Sequence, residues 1–204
     1  MIAVIDYGVG NLFSLAASLR YIGAESVVTR DEHIIRDSGA IILPGVGAFG
    51  DAYKKLEQSG LIPVLREQAK GGKPLLGICL GMQLLFDKSY EYGEHPGLGF
   101  IPGEVCPIAP DLKYKLKVPH MGWNSLDFKG YSPLYKYLSG GEYVYFVHSY
   151  YAKNCAAHTS ATCAYGGAEL TASVERGNVF GTQFHPEKSG AAGLKILRAF
   201  SELV

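Results

Sequence analysis

The sequence carries no excess of charge of either sign. Lys and Arg number 19, Asp and Glu number 19, and the pI is about 7.0. That balance leaves no electrostatic footprint for a nucleic-acid backbone. No apolar run approaches the length of a membrane span, and the N-terminus "MIAVIDYGVGNL" lacks a basic stretch followed by a long apolar one. The expectation is therefore a soluble, cytoplasmic protein with neither membrane nor nucleic acid as partner. Cysteine is scarce and scattered. Cys79, Cys106, Cys155 and Cys163 lie far apart with no Cys-x-x-Cys pair, so no zinc knuckle or thioredoxin-type site is expected, and the thiols should be reduced. Nothing suggests a metal site or a cofactor. There is no internal repeat, no low-complexity tract and no linker, which predicts one domain over residues 1–204.

What is present is alternation. "IAVID", "SVVT", "AIIL" and "LLGI" read as short buried strands, separated by helical spacing at Leu12–Leu19, Ala52–Gln58 and Ile62–Lys70. A helix should run from after Cys79 to about Lys88. From Gly99 to Tyr165 the pattern changes to short, aromatic-rich strands, and "ELTASVERGNVFGTQFH" reads as a hairpin turning at "RGN". Gly190–Leu203 closes the chain as an amphipathic helix. The fold class is α/β: a central, mostly parallel sheet flanked by helices, with an antiparallel extension. In such sheets ligands bind outside the carboxyl ends of the strands. "PGVG", "GICLG" and "FHPEKS" should meet there.

The segment "GICLG" has the Gly-x-nucleophile-x-Gly form of a nucleophile elbow, with Cys79 at its centre. A buried structural cysteine is the competing reading. His185 lies just beyond a strong strand, and Glu187 two residues on would share its face in an extended segment and orient its ring. A solvated turn with a chance pair competes here. "PGVG", with Gly45, Val46 and Gly47, offers backbone N–H donors for an oxyanion, and the N–H of Leu80 offers another.

Together "PGVGAFG", "GICLGMQLLF" and "FHPEKS" resemble the class I (triad) glutamine amidotransferases, and the resemblance spans essentially the whole chain. It implies that Cys79 attacks the carboxamide of L-glutamine, that His185 carries the proton and that Glu187 orients His185. It also implies that Gln83, His148, Ser149 and Tyr150 hold the amino-acid end of glutamine. "VIDYGVGNLFSL" and "VPHMGWN" are similar to one branch of that family. That branch implies a heterodimer in which ammonia passes to a (β/α)8-barrel cyclase partner in histidine biosynthesis. Trp123 is either core or an interface anchor. The resemblance favours the interface, and it places Asn11 there as well. Tyr145 and Lys188 are candidates near the ammonia exit. Because one oxyanion donor can be worth about 2.7–4 kcal/mol, its placement could switch catalysis, which predicts a subunit nearly inactive alone, with the glycine-containing "PGVG" strand as the moving part. Another synthase partner, such as that of pyridoxal 5'-phosphate synthase, is the alternative acceptor. A fold that has lost catalysis and an independent thiol hydrolase are more distant ones. His33, His95, His120 and His158 are expected to be structural or solvated.

Overall fold

The computed structural model describes residues 1–204. The strands are β1 (Ile2–Ile5), β2 (Ser26–Thr29), β3 (Ala40–Gly45), β4 (Leu75–Cys79), β5 (Lys88–Ser89), β6 (His95–Pro96), β7 (Glu104–Pro107), β8 (His120–Ser125), β9 (Asp127–Phe128), β10 (Tyr143–His148), β11 (Tyr150–Lys153), β12 (Thr159–Tyr165), β13 (Ala168–Arg176) and β14 (Val179–Thr182). The α-helices are α1 (Leu12–Tyr21), α2 (Glu32–Asp37), α3 (Phe49–Gln58), α4 (Ile62–Lys70), α5 (Leu80–Leu84) and α6 (Gly190–Ser201).

The main sheet has the order β2-β1-β3-β4-β14-β13-β12-β9. β2, β1, β3, β4 and β14 run parallel, and β13, β12 and β9 extend the sheet antiparallel. The alternation of a strand explains the two cores. Ala3, Ile5, Ile41, Leu43 and Leu75 face one side, under α3, α4 and α5. Ile2, Val4, Ala40, Ile42, Leu76 and Ile78 face the other, under α1 and α6. Because both faces are covered, these strands are apolar throughout rather than alternating. Two smaller sheets complete the structure, β8 paired antiparallel with β10, and β11-β7-β5-β6.

Three local expectations are corrected. The helix after Cys79 ends at Leu84, not near Lys88. The carbonyls of Leu84, Leu85 and Phe86 accept instead from the N–H groups of residues 98–101, which turns the chain away. α2 is an additional short helix, capped by the Asp31 carboxylate accepting from the N–H of His33. α3 starts three residues early, at Phe49, whose N–H donates to the Glu91 carboxylate at 2.6 Å. No helix is long and apolar enough to cross a membrane.

Candidate active site

β3, β4 and β14 are neighbours, so "PGVG", Cys79 and the turn after Thr182 emerge side by side at their carboxyl ends. Cys79 closes β4 with φ +55° and ψ −111°, a region that non-glycine residues rarely occupy. Such strain persists only where the surroundings hold it, and here it turns the strand abruptly into α5. The flanking glycines are required by contact. A Cβ on Gly77 would lie 2.6 Å from the carbonyl oxygen of Gly81, and one on Gly81 would lie 1.9 Å from that of Leu43.

His185 is 2% exposed. Its Nδ1 is 2.8 Å from Glu187 Oε1, and each side chain of the pair is only 3% exposed. The pairing is made by a 3-10 turn at Pro186–Lys188, not by an extended segment as the sequence suggested. Ser189 locks that turn. Its hydroxyl donates to the His185 carbonyl at 2.6 Å and accepts from the Tyr145 N–H at 2.9 Å. Since Nδ1 is held by a carboxylate, the other ring nitrogen is left for proton transfer. Nε2 is buried without a hydrogen-bond partner. Burial alone would pull the His185 pKa down, but Cys79 and the Glu187 carboxylate outweigh it and hold the imidazole well above the ordinary histidine value.

Cys79 and His185 line one cavity of about 210 Å³ with Val46, Gly47, Leu80, Gln83, Glu91 and the 147–150 segment. It is smaller than the roughly 300–1,000 Å³ of drug-sized sites and suits an amino acid. The N–H groups of Val46 and Gly47 make no hydrogen bond, and Gly47 adopts φ +95°. Leu80 opens α5, where backbone donors lack intrahelical partners. Gly45 departs from the expectation, because it does not line the cavity. A Cβ there would meet Gly81 N at 2.7 Å and the Tyr7 hydroxyl at 3.0 Å, so Gly45 is a close-packing residue.

Gln83, His148, Ser149 and Tyr150 all reach the cavity wall. Gln83 Nε2 donates to the Tyr150 carbonyl and to Gln183 Oε1, both at 3.0 Å. Two neighbours escaped the sequence reading. The Gln183 amide is fully buried and donates to Cys79 Sγ at 3.8 Å. Glu91 places a half-buried carboxylate on the wall, and burial raises its pKa. Gln183 sits two residues before His185, which was a usable signal. Nothing local marks Glu91.

Among the surface candidates, Trp123 is 55% exposed, which excludes the core reading. Its ring stands edge-on to Tyr145 at 6.1 Å, and Lys188 Nζ lies 5.9 Å from the Tyr145 ring. Asn11 is half-buried at the start of α1 with no side-chain capping bond.

A family model for glutamine amidotransferase class-I matches residues 3–202. The chain belongs to that family, and it is a glutamine-hydrolysing enzyme. Within it, the chain falls among the HisH subunits of imidazole glycerol phosphate synthase. It is 50% identical over 204 residues to the HisH subunit of Bacillus cereus, covering 100% of this chain and 95% of that relative. It is 49% identical over 201 residues to that of Lactococcus lactis, covering 98% of each. Solved structures agree on the fold. A glutamine amidotransferase crystal structure superposes with TM-score 0.76 at 21% identity, covering 100% of this chain and 98% of that one. The structure of PurLQS from Thermotoga maritima gives 0.72 at 22% identity, covering 98% and 96%.

Proposed function

We infer that this chain is the glutaminase of an imidazole glycerol phosphate synthase and that Cys79, His185 and Glu187 do its chemistry. The observation that carries this is the meeting of a strained, positive-φ cysteine and a carboxylate-held histidine in one cavity. The Cys79 thiolate adds to the carboxamide carbon of glutamine. The oxyanion is held by N–H groups of the Val46–Gly47 segment and of Leu80. His185 Nε2–H protonates the leaving nitrogen, and ammonia departs from a thioester. Water then attacks that thioester with His185 Nε2 taking its proton, which releases glutamate and restores the thiolate. Glu187 keeps Nδ1 protonated throughout. Glu91 supplies the anionic partner for the α-ammonium of glutamine, and Gln83 with residues 148–150 shapes the amino-acid end.

Ammonia then passes to a (β/α)8-barrel cyclase subunit in a cytoplasmic heterodimer, where imidazole glycerol phosphate and 5-aminoimidazole-4-carboxamide ribonucleotide form. Support for this acceptor over pyridoxal 5'-phosphate synthase comes from the relatives' names at about half identity over the full chain. The exposed Met121 and Trp123, with Tyr145 and Lys188 beside them, form the proposed docking face. The test is synthesis by the complex from either nitrogen source. Cys79→Ala should abolish glutamine-dependent product and keep ammonia-dependent product. Persistence of glutamine-dependent synthesis in that variant would overturn the catalytic assignment.

A further inference from the structure

His120, which the sequence marked as structural or solvated, occupies a specific place. β8 turns Met121 (61% exposed) and Trp123 (55% exposed) outward and His120 (3% exposed) inward. The His120 ring stacks on Phe146 at 4.8 Å and on Tyr165 at 4.1 Å. Its Nδ1 is 3.0 Å from His148 Nε2, and His148 Nδ1 is 2.8 Å from the Tyr150 carbonyl. On the other side, Asn124 Nδ2 lies 3.2 Å from His120 Nε2 and donates to the Ala164 carbonyl at 2.8 Å.

The donor inventory fixes the direction of this chain. A carbonyl only accepts, so His148 must carry its proton on Nδ1 and offer Nε2 as an acceptor. His120 must then donate from Nδ1, which leaves its Nε2 to accept from the Asn124 amide. Every ring nitrogen has one role when both rings are neutral. Burial, the first cause for each ring, lowers the pKa of His120 to about 4 and of His148 to about 3. The neutral chain is therefore the one present near pH 7. It ends on the Tyr150 carbonyl, which also accepts from Gln83, and His148, Ser149 and Tyr150 line the glutamine cavity.

We propose that His120 is a positioning residue for glutamine binding: through His148 it holds the 147–150 wall of the cavity from the strand that displays Met121 and Trp123. This rests on the glutaminase reading above. A fully satisfied buried network specifies one arrangement, and removing one donor leaves another buried group unpaired. In His120→Leu the His148 Nε2 loses its donor, and the wall loses its reference point. In His120→Asn the amide nitrogen branches from the chain where Nδ1 does, so a donor is retained.

The test is glutaminase kinetics of the complex with its cyclase subunit, per active site titrated by alkylation of Cys79 with an electrophilic glutamine analogue. His120→Leu should raise KM for glutamine about tenfold while kcat per titrated site changes less than about threefold, with His120→Asn recovering most of the loss. Nitrogen-15 spectra of the wild-type imidazoles should show His120 and His148 both as Nδ1–H tautomers at neutral pH. An unchanged KM in His120→Leu, a loss confined to the number of titratable sites, or an Nε2–H tautomer at His148 would each overturn the proposal. Should His120→Leu fail to fold, His120→Asn and the wild-type spectra decide: a KM near wild type with the Nδ1–H pattern supports it, and the opposite pattern refutes it. Glutamate release that survives Cys79→Ala would instead sink the catalytic reading and leave the tautomer result standing.

Discussion

The parallel half of the main sheet and the β8–β10 ribbon build the same cavity by different means. β1, β3 and β4 are buried on both faces, and their side chains serve packing alone until the strand ends. The residues proposed to react come directly after, at Val46, at Cys79 and beyond Thr182. The ribbon is two-faced along its whole length. Tyr143 is exposed where Val144, Phe146 and His148 are buried, and Met121 and Trp123 are exposed where His120 is buried. The rigid half is suited to hold reacting atoms. The ribbon is suited to join an outer face to the cavity wall.

Substitutions in the two halves should therefore fail differently. The largest effect expected is on Cys79→Ala, with glutamate release falling by about three orders of magnitude or more and no comparable loss of fold, as for removal of a nucleophile from a triad. Glu187→Gln should follow at about 10²–10⁴-fold, because an amide no longer fixes the His185 tautomer. Its check is steady-state turnover of the complex at saturating glutamine. Ile42→Ala, at a fully buried position between β1 and β4, should cost about 2–5 kcal/mol of stability by denaturant titration and leave turnover of the folded fraction unchanged. Trp123→Ala, on the ribbon, should do the reverse. Stability should change by less than about 1 kcal/mol, while association with the cyclase subunit weakens by about 2 kcal/mol, measured by titration calorimetry.

The ribbon should also show itself in pH. His120 and His148 have folded pKa values of about 4 and 3, below the ordinary value of 6.5. The unfolded chain thus binds more protons, and the stability they contribute is present above pH 6.5 and is lost as pH falls towards 4 and below. Between pH 7 and 5 the loss should be on the order of 1–2 kcal/mol per histidine. A His120→Asn chain should show a shallower dependence in thermal unfolding.

The same contrast governs what the sequence made legible. Strands of the parallel half announce themselves as short apolar runs, and each motif proposed to react sits directly on the end of one. That Cys79, His185 and the Val46–Gly47 segment would emerge side by side, with Glu187 on His185, could be read there. The sequence did not reveal features that depend on distant partners. Gly45 looks like part of the oxyanion segment until its contact with Gly81 is seen. The early end of α5 depends on residues 98–101 taking its carbonyls. Glu91 enters the cavity from a loop without local signature, and His120 acquires meaning only opposite His148, 28 residues away.

The most direct test of the account compares glutamate release by the chain alone with release in the presence of the cyclase subunit and its nucleotide ligand. If the partner sets the Val46–Gly47 peptides for the oxyanion by docking on the exposed β8 face, turnover alone should be low, stimulation by the partner strong, and both lost in Cys79→Ala. Full turnover by the isolated chain, indifferent to the cyclase subunit, would contradict it.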